Sequence, residues 1–130
     1  MEIITLKTSK REEIVDITQK IEKLVKDVKK GVTIIYVPHA TAAITVNENY
    51  DPNVCEDFLN FLKKLIPQGV WLHDRIDGNG DAHLKAALIG PSEAIPIENG
   101  KLMLGTWQSI MFCEFDGPRE RKIYVDIIEK

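Results

Sequence analysis

WQSIMFCEFDGPRERKIYVDII, residues 107–128, holds two strand patterns of different kinds around one turn. From Trp107 to Phe115 both faces are apolar, with Met111, Cys113 and Phe115 alternating against Ile110 and Phe112. A strand of that kind belongs in the middle of a sheet covered on both sides. From Lys122 to Ile128 the residues Ile123, Val125 and Ile127 alternate with Tyr124 and Asp126, which is the pattern of a strand with one wetter face. Asp116 to Arg121 reads as a hairpin turn joining the two. Gln108 stands in an otherwise apolar strand and requires a hydrogen-bond partner. Trp107 reads as packing, or as a wall for a flat ring.

Upstream, Asn99-Gly100 between Ala94–Ile97 and Leu102–Leu104 is a type I′ hairpin signal. Residues 2–7 read as a short strand, Val32–Val37 as a buried strand rich in β-branched residues, and Ala42–Val46 as another. Ser9 and Glu12 form an S-x-x-E capping box, so a helix is expected to start near Lys10. Its stripe is Ile14, Ile17, Ile21, Leu24, Val25 and Val28, and Lys29-Lys30-Gly31 supplies a basic end and a C′ glycine. Asp51-Pro52 gives an N-cap and an N1 proline to a second helix. That helix turns Val54, Phe58, Leu62 and Leu65 to one side and ends before Pro67 and Gly69. A short third helix runs from an N-cap at Asp81 through Ile89 and stops at Gly90-Pro91. The order is not strict strand–helix–strand alternation. It predicts a single α+β domain with a largely antiparallel sheet or sandwich packed with two main helices and a short third.

The 130 residues suit one domain, and 44% hydrophobic with 28% charged residues is ordinary for a soluble globular protein. The net charge of −3, without a basic block, argues against a nucleic-acid partner. No apolar leader region and no run of 18 apolar residues occur, which predicts a cytoplasmic protein and no membrane partner. The two cysteines, Cys55 and Cys113, sit in apolar patterns and read as reduced buried thiols.

The chemistry gathers in HDRIDGNGDAHLK, residues 73–85, with two of the three histidines. Asp77, Asn79 and Asp81 match the first ligand positions of an EF-hand, but Ala82 and Leu88 break the sixth and twelfth, so calcium of that type is excluded. Gly78 and Gly80 ahead of a helix suit an anion, with Arg75 and Lys85 offsetting the aspartates. His73 and His83, joined by His39 or a carboxylate, suit a divalent metal such as zinc. Hydrogen-bonded loop histidines remain the plain alternative. His39 stands where Pro38 breaks a strand, a position at the edge of a pocket. Glu48 ends the next strand as a candidate general base, metal ligand or turn residue. Arg119 can fork onto a phosphate or carboxylate. Serine-hydrolase elbows, H-E-x-x-H, C-x-x-C and dinucleotide fingerprints are absent.

HATAAITVNEN (39–49), HDRIDGNGDAHLKAALIG (73–90), IPIENGKLMLGTWQSI (95–110) and EFDGPRERK (114–122) together resemble the YjbQ-like family, labelled secondary thiamine-phosphate synthase enzymes. The resemblance runs from Thr33 to Ile128, with Gly80 in place of the alanine of DGNADAH. It implies an α+β fold assembled as a homotrimer. It also implies a secondary activity that joins a pyrimidine methyl pyrophosphate to a thiazole phosphate. The residues it carries over are His39, Thr41, Glu48, His73, Asp77, Asn79, Asp81, His83, Lys85, Gln108 and Arg119. His39, Glu48, His83 and Arg119 take catalytic roles in this reading. Thr41, Asp77, Asn79, Asp81, Lys85 and Gln108 bind a phosphorylated metabolite in it. The residue types, apart from the resemblance, point to a divalent metal as cofactor, zinc on His39, His73 and His83 or magnesium, with no cofactor as the alternative. The alternatives are a metal-dependent hydrolase and a non-catalytic trimer that binds a metabolite.

Overall fold

The computed structural model describes residues 1–130. The chain runs β1 (Glu2–Lys7), β2 (Glu13–Asp16), α1 (Thr18–Val25), β3 (Lys30–Tyr36), β4 (Ala42–Glu48), α2 (Pro52–Leu65), a 3-10 turn (Leu72–Arg75), α3 (Gly80–Ile89), β5 (Ser92–Glu98), β6 (Lys101–Leu102), β7 (Gln108–Glu114) and β8 (Glu120–Glu129). Five strands form one sheet in the order β1-β8-β3-β5-β6, and three form another in the order β2-β7-β4. Every pairing is antiparallel.

β7 is central, and its alternation serves two cores. Ile110 and Phe112 enter the larger core with Ile44, Ile35, Ile97, Ile123 and Val125, contributed by both sheets, and with Ile21 and Val25 of α1. Cys113 and, just past the strand, Phe115 enter a second core with Ala43, Leu62 of α2, and Ala82 and Ala86 of α3. The three-stranded sheet is therefore a middle layer, with the larger sheet on one face and α2 and α3 on the other. Both cysteines are free thiols, Cys113 buried and Cys55 half-buried. Burial pushes the Cys113 thiol far up, so it stays protonated.

The expected helix start at Lys10 is wrong. Ile14 and Val15 pair with Cys113 and Phe112 as an edge strand, and the helix begins at Thr18. Ser9 donates its N–H and Oγ–H to Glu13 rather than Glu12. Asp16 accepts from the N–H and Oγ–H of Thr18 and so stands at the real helix entry. The β-branched pair fits a pleated edge better than a helix. Gly31 is not a helix C′ residue but lies in β3. A Cβ there would run into the Ile128 carbonyl oxygen of β8. Gly31→Ala should therefore cost about 1–3 kcal/mol, read from the urea midpoint; an unmoved midpoint would show that the ladder yields.

The turn at Asp116–Arg121 is also corrected: it is not a hairpin, because β7 and β8 belong to different sheets. It is a corner that carries the chain from one layer to the other. Thr8 and Arg119 pin it backbone to backbone, as do Arg11 and Gly117. Other local signals hold. Asp51 accepts from Asn53 N–H at the start of α2 with Pro52 inside the first turn. Asn99 and Gly100 both have positive φ, 51° and 75°, as a type I′ turn requires. In α2 Leu62 is buried, as is Ile66 just past its end, whereas Leu65 is exposed. No helix is long and apolar enough to cross a membrane.

Candidate functional site

Four chain segments meet at one end of the middle sheet: the run into β4, the start of α3, the exit of β7 and the entry of β8. Pro38 breaks the chain between β3 and β4, so His39 leaves the ladder. Its Nε2 accepts a hydrogen bond from the Lys122 backbone N–H at 2.9 Å. That places the ring proton on Nδ1, an assignment made from the hydrogen bond. Burial, followed by the nearby Arg121, lowers the His39 pKa below its ordinary 6.5. The imidazole is thus neutral at pH 7.

His39 borders an open cleft of ≈ 670 Å³. Ala40 and Ala42 of its own segment line it, with Ala86, Ala87 and His83 of α3 opposite. His83 also meets His73 edge to face, with ring centroids 4.6 Å apart. His73 Nε2 is shielded and makes no hydrogen bond. The Asp77 carboxylate stands 3.4 Å from it, an ion-pair distance that counts only if the ring is protonated. We take the pair as weak, since Asp77 is largely exposed.

The loop ahead of α3 is organised by Asp74, which the sequence did not single out. Its carboxylate accepts from the Trp71 and Gly80 N–H groups. Those hydrogen bonds hold it below the usual carboxylate range. Asn79 takes the N-cap position in place of the expected Asp81. It donates Nδ2–H to Asp116 at 2.8 Å. Arg119 holds the same carboxylate at 3.0 Å and remains half exposed.

Asp81 is turned inward. It is fully buried, paired with Arg11 at 2.9 Å and Lys85 at 3.0 Å, and Lys85 also reaches Glu12 at 3.0 Å. Burial opposes the Asp81 carboxylate, but the hydrogen bonds from Arg11 and Lys85 outweigh it and lower its pKa. Lys85 and Asp81 border only a small polar pocket of ≈ 240 Å³, away from the alanine-lined cleft. Thr41 is buried too, and accepts on Oγ1 from Arg121 at 2.8 Å.

A second buried ion pair lies beneath His39. Arg121 Nε donates to Glu114 at 2.9 Å, and Thr8 Oγ–H donates to the same carboxylate at 2.7 Å. The signal for it was Glu114 within MFCEF, a charge in an apolar strand that must be paired. Arg11, Glu12 and Thr8 carried no such signal.

Glu48 and Gln108 sit at the opposite end of the strand pair, directly across from one another. At ~3.4 Å per residue, the seven steps along β4 separate Glu48 from Thr41 by about 24 Å. Gln108 accepts on Oε1 from Gly105 N–H, closing its own turn. Trp107 is exposed, not packed inside. The structure thus sets His39 and His83 on one cleft, places His73 against His83, joins Asn79 and Arg119 on Asp116, buries Asp81, Lys85 and Thr41 in ion-pair and hydrogen-bond contacts, and leaves Glu48 and Gln108 apart. No group of three His, Cys, Asp or Glu side chains converges as a metal-ligand set within the chain. The expected triad of His39, His73 and His83 does not assemble, because His39 Nε2 is committed to Lys122.

Residues 2–130 match the family model described as UPF0047 protein YjbQ-like. A UPF0047 protein of Methanocaldococcus jannaschii is 54% identical over 125 residues, covering 95% of this chain and 90% of that protein. UPF0047 protein YugU of Bacillus subtilis is 42% identical over 130 residues, covering 98% of each. A crystal structure of a YjbQ/UPF0047-family protein from Clostridium acetobutylicum superposes with a TM-score of 0.94 at 49% identity, covering 98% of this chain and 100% of that one.

Proposed function

The chain belongs to the YjbQ-like UPF0047 family, and from that premise we propose that it is a small-molecule enzyme working in the cleft between His39 and His83. One observation carries this reading: two imidazoles from different elements border a single cleft, and one of them is held neutral in a defined tautomer. With Nε2 taken by the Lys122 N–H and the ring proton on Nδ1, His39 can offer the cleft a hydrogen-bond donor, and the proton-accepting role falls to His83. The alanine walls suit a flat or apolar portion of a substrate. Arg119, whose side chain is tied only to Asp116 and is half exposed, stands on the corner outside the cleft lining and is the cation we assign to an anionic portion that reaches beyond it.

The reaction implied by the resemblance is thiamine-phosphate synthesis. In it the thiazole nitrogen attacks the pyrimidine methylene carbon, a C–N bond forms, the C–O bond breaks, and pyrophosphate leaves with the electron pair. A dissociating pyrophosphate needs cations, which Arg119 and added Mg²⁺ would supply. The test is product formation from the two phosphorylated substrates with Mg²⁺. Expected rates fall about 10²–10⁴-fold in His39→Gln and His83→Gln, with circular dichroism unchanged. Folded variants at full rate would remove the site assignment. Saturable substrate binding without turnover would leave a binding protein instead.

A second reading, a metal-dependent hydrolase, has one observation in its favour: the unpartnered His73 Nε2 beside the His83 ring. Two imidazoles fall short of the three protein ligands of a catalytic zinc, so a third donor from outside this chain would be required. Elemental analysis of wild type beside His83→Ala separates the readings. About one metal per chain, lost in the variant, would favour the hydrolase. The proposal includes a homotrimer. Exposed apolar residues concentrated along 61–88, among them Phe61, Val70, Leu72, Ile76 and Leu88, support a surface that another copy covers. Light scattering giving the mass of one chain would refute it.

A further inference from the structure

At the far end of β4 from His39, a second cleft of ≈ 510 Å³ is lined by Glu48, Tyr50, Asp51, Pro52 and Trp107. We infer that this cleft binds an organic cation, of the quaternary-ammonium or N-alkylated aromatic kind. Tyr50 is 81% and Trp107 58% exposed, an unusual placement for two large aromatic rings. They meet edge to face, with centroids 5.4 Å apart and planes at 61°, and so form two adjoining walls rather than one stack. Both rings are held from the backbone. Glu48 pairs with Gln108 across the ladder, and the Gln108 side chain closes the turn that carries Trp107 by accepting from Gly105 N–H. Tyr50 leads into Asp51 and Pro52, fixed as the cap and first turn of α2.

The charge is as one-sided as the shape. No Lys, Arg or His lines the cleft. Asp51 is spent on the N-terminus of α2, where its carboxylate accepts from Asn53 N–H at 2.9 Å. The Glu48 carboxylate makes no ion pair and accepts no hydrogen bond from a side chain, while the Glu48 backbone N–H donates to Asn47 Oδ1. One uncompensated carboxylate therefore sits beside two electron-rich ring faces. Aromatic faces attract a cation through their quadrupole, and do so best when the ion is weakly hydrated. The same field repels phosphate. This cleft and the His39 cleft thus select opposite charges, and the inference does not depend on the reaction proposed above.

The test uses the whole protein, titrated with choline and with its neutral isostere 3,3-dimethylbutan-1-ol, followed by tryptophan fluorescence and calorimetry. Choline should bind saturably and about 10-fold more tightly than the isostere. Glu48→Gln and Tyr50→Ala, both at the surface, should each weaken choline about 5-fold or more. Trp107→Phe should abolish the fluorescence response, because the remaining Trp71 is tied to Pro67 O through its indole N–H, and calorimetry should show weakened binding. Equal affinity for choline and the isostere would overturn the inference. So would an unchanged choline affinity in Glu48→Gln, or displacement of choline by inorganic phosphate.

Discussion

Arg121→Ala should lower the unfolding free energy by about 3–5 kcal/mol, among the largest losses available in this chain. Arg121 is 2% exposed. Its Nε donates to Glu114 at 2.9 Å, and its Nη2 donates to Glu114, to Thr41 Oγ1 at 2.8 Å and to the Thr41 carbonyl at 3.3 Å. Removing it strands a fully buried carboxylate, which costs more than the pair itself contributes. The double variant Glu114→Leu with Arg121→Met removes both charges and should recover most of the loss, giving strong coupling in a double-mutant cycle. Urea unfolding of the four proteins measures this. An Arg121→Ala protein within 1 kcal/mol of wild type would mean that water or a relaxed neighbour satisfies Glu114.

The pair also has a pH signature. Burial opposes ionisation of Glu114, but Arg121 and Thr8 outweigh it and hold its folded pKa below the ordinary 4.5. A carboxyl lowered on folding contributes stability that is complete above its unfolded pKa and lost as pH falls through the folded value. Wild type should therefore lose this contribution only below about pH 4.5, and the double variant should lack that dependence. There is a functional consequence as well. Arg121 grips Thr41, two residues from His39, so the variant should also loosen the cleft wall.

Asp81→Ala should cost a similar amount, about 3–5 kcal/mol, at the other buried ion cluster. It leaves Lys85, 1% exposed, with Glu12 as its sole partner, and releases Arg11 from its bidentate contact. Asp81 also has a folded pKa lowered from the ordinary 3.8. By the same sign, its contribution is present above pH 3.8 and lost below it, so the gap between wild type and variant should narrow as acid protonates Asp81. Because Asp81 and Lys85 anchor α3, which carries His83, the variant should slow any reaction in the cleft. A gap that stays constant down through acid would show that Asp81 is not the charged partner of Lys85. Adding Lys85→Met should restore stability, which separates a charge effect from a packing effect.

The local grammar of the chain was readable. The two-faced alternation of residues 110–115 gave a central strand because both faces of that strand are covered. Asp51-Pro52 and Asn99-Gly100 declared a cap and a turn, since those conformations depend on residues a few positions apart. Residues 10–16 misled for the opposite reason. Ser9, Glu12 and a 3–4 residue apolar spacing describe a helix, yet Ile14 and Val15 find a better partner in β7, nearly a hundred positions away. The corner at 116–121 misled in the same way. Nothing within it says that the next strand joins the other sheet.

The candidate site divides along the same line. His39, His83 and Arg119 stood out by residue type and by their turn contexts. Asp81 and Lys85 stood out equally, and only packing shows that they face each other inside. Glu48 and Gln108 belong to the other end of the sheet because strand register, not sequence proximity, sets which residues share an end. The sequence by itself determined periodicity, caps and turns, which short-range sterics and hydrogen bonding control. Tertiary structure alone decided which layer each strand joins, which charges neutralise each other and which imidazoles share a cleft. Those outcomes rest on contacts such as Thr8 with Glu114, 106 positions apart, whose energies exist only once the core has excluded water.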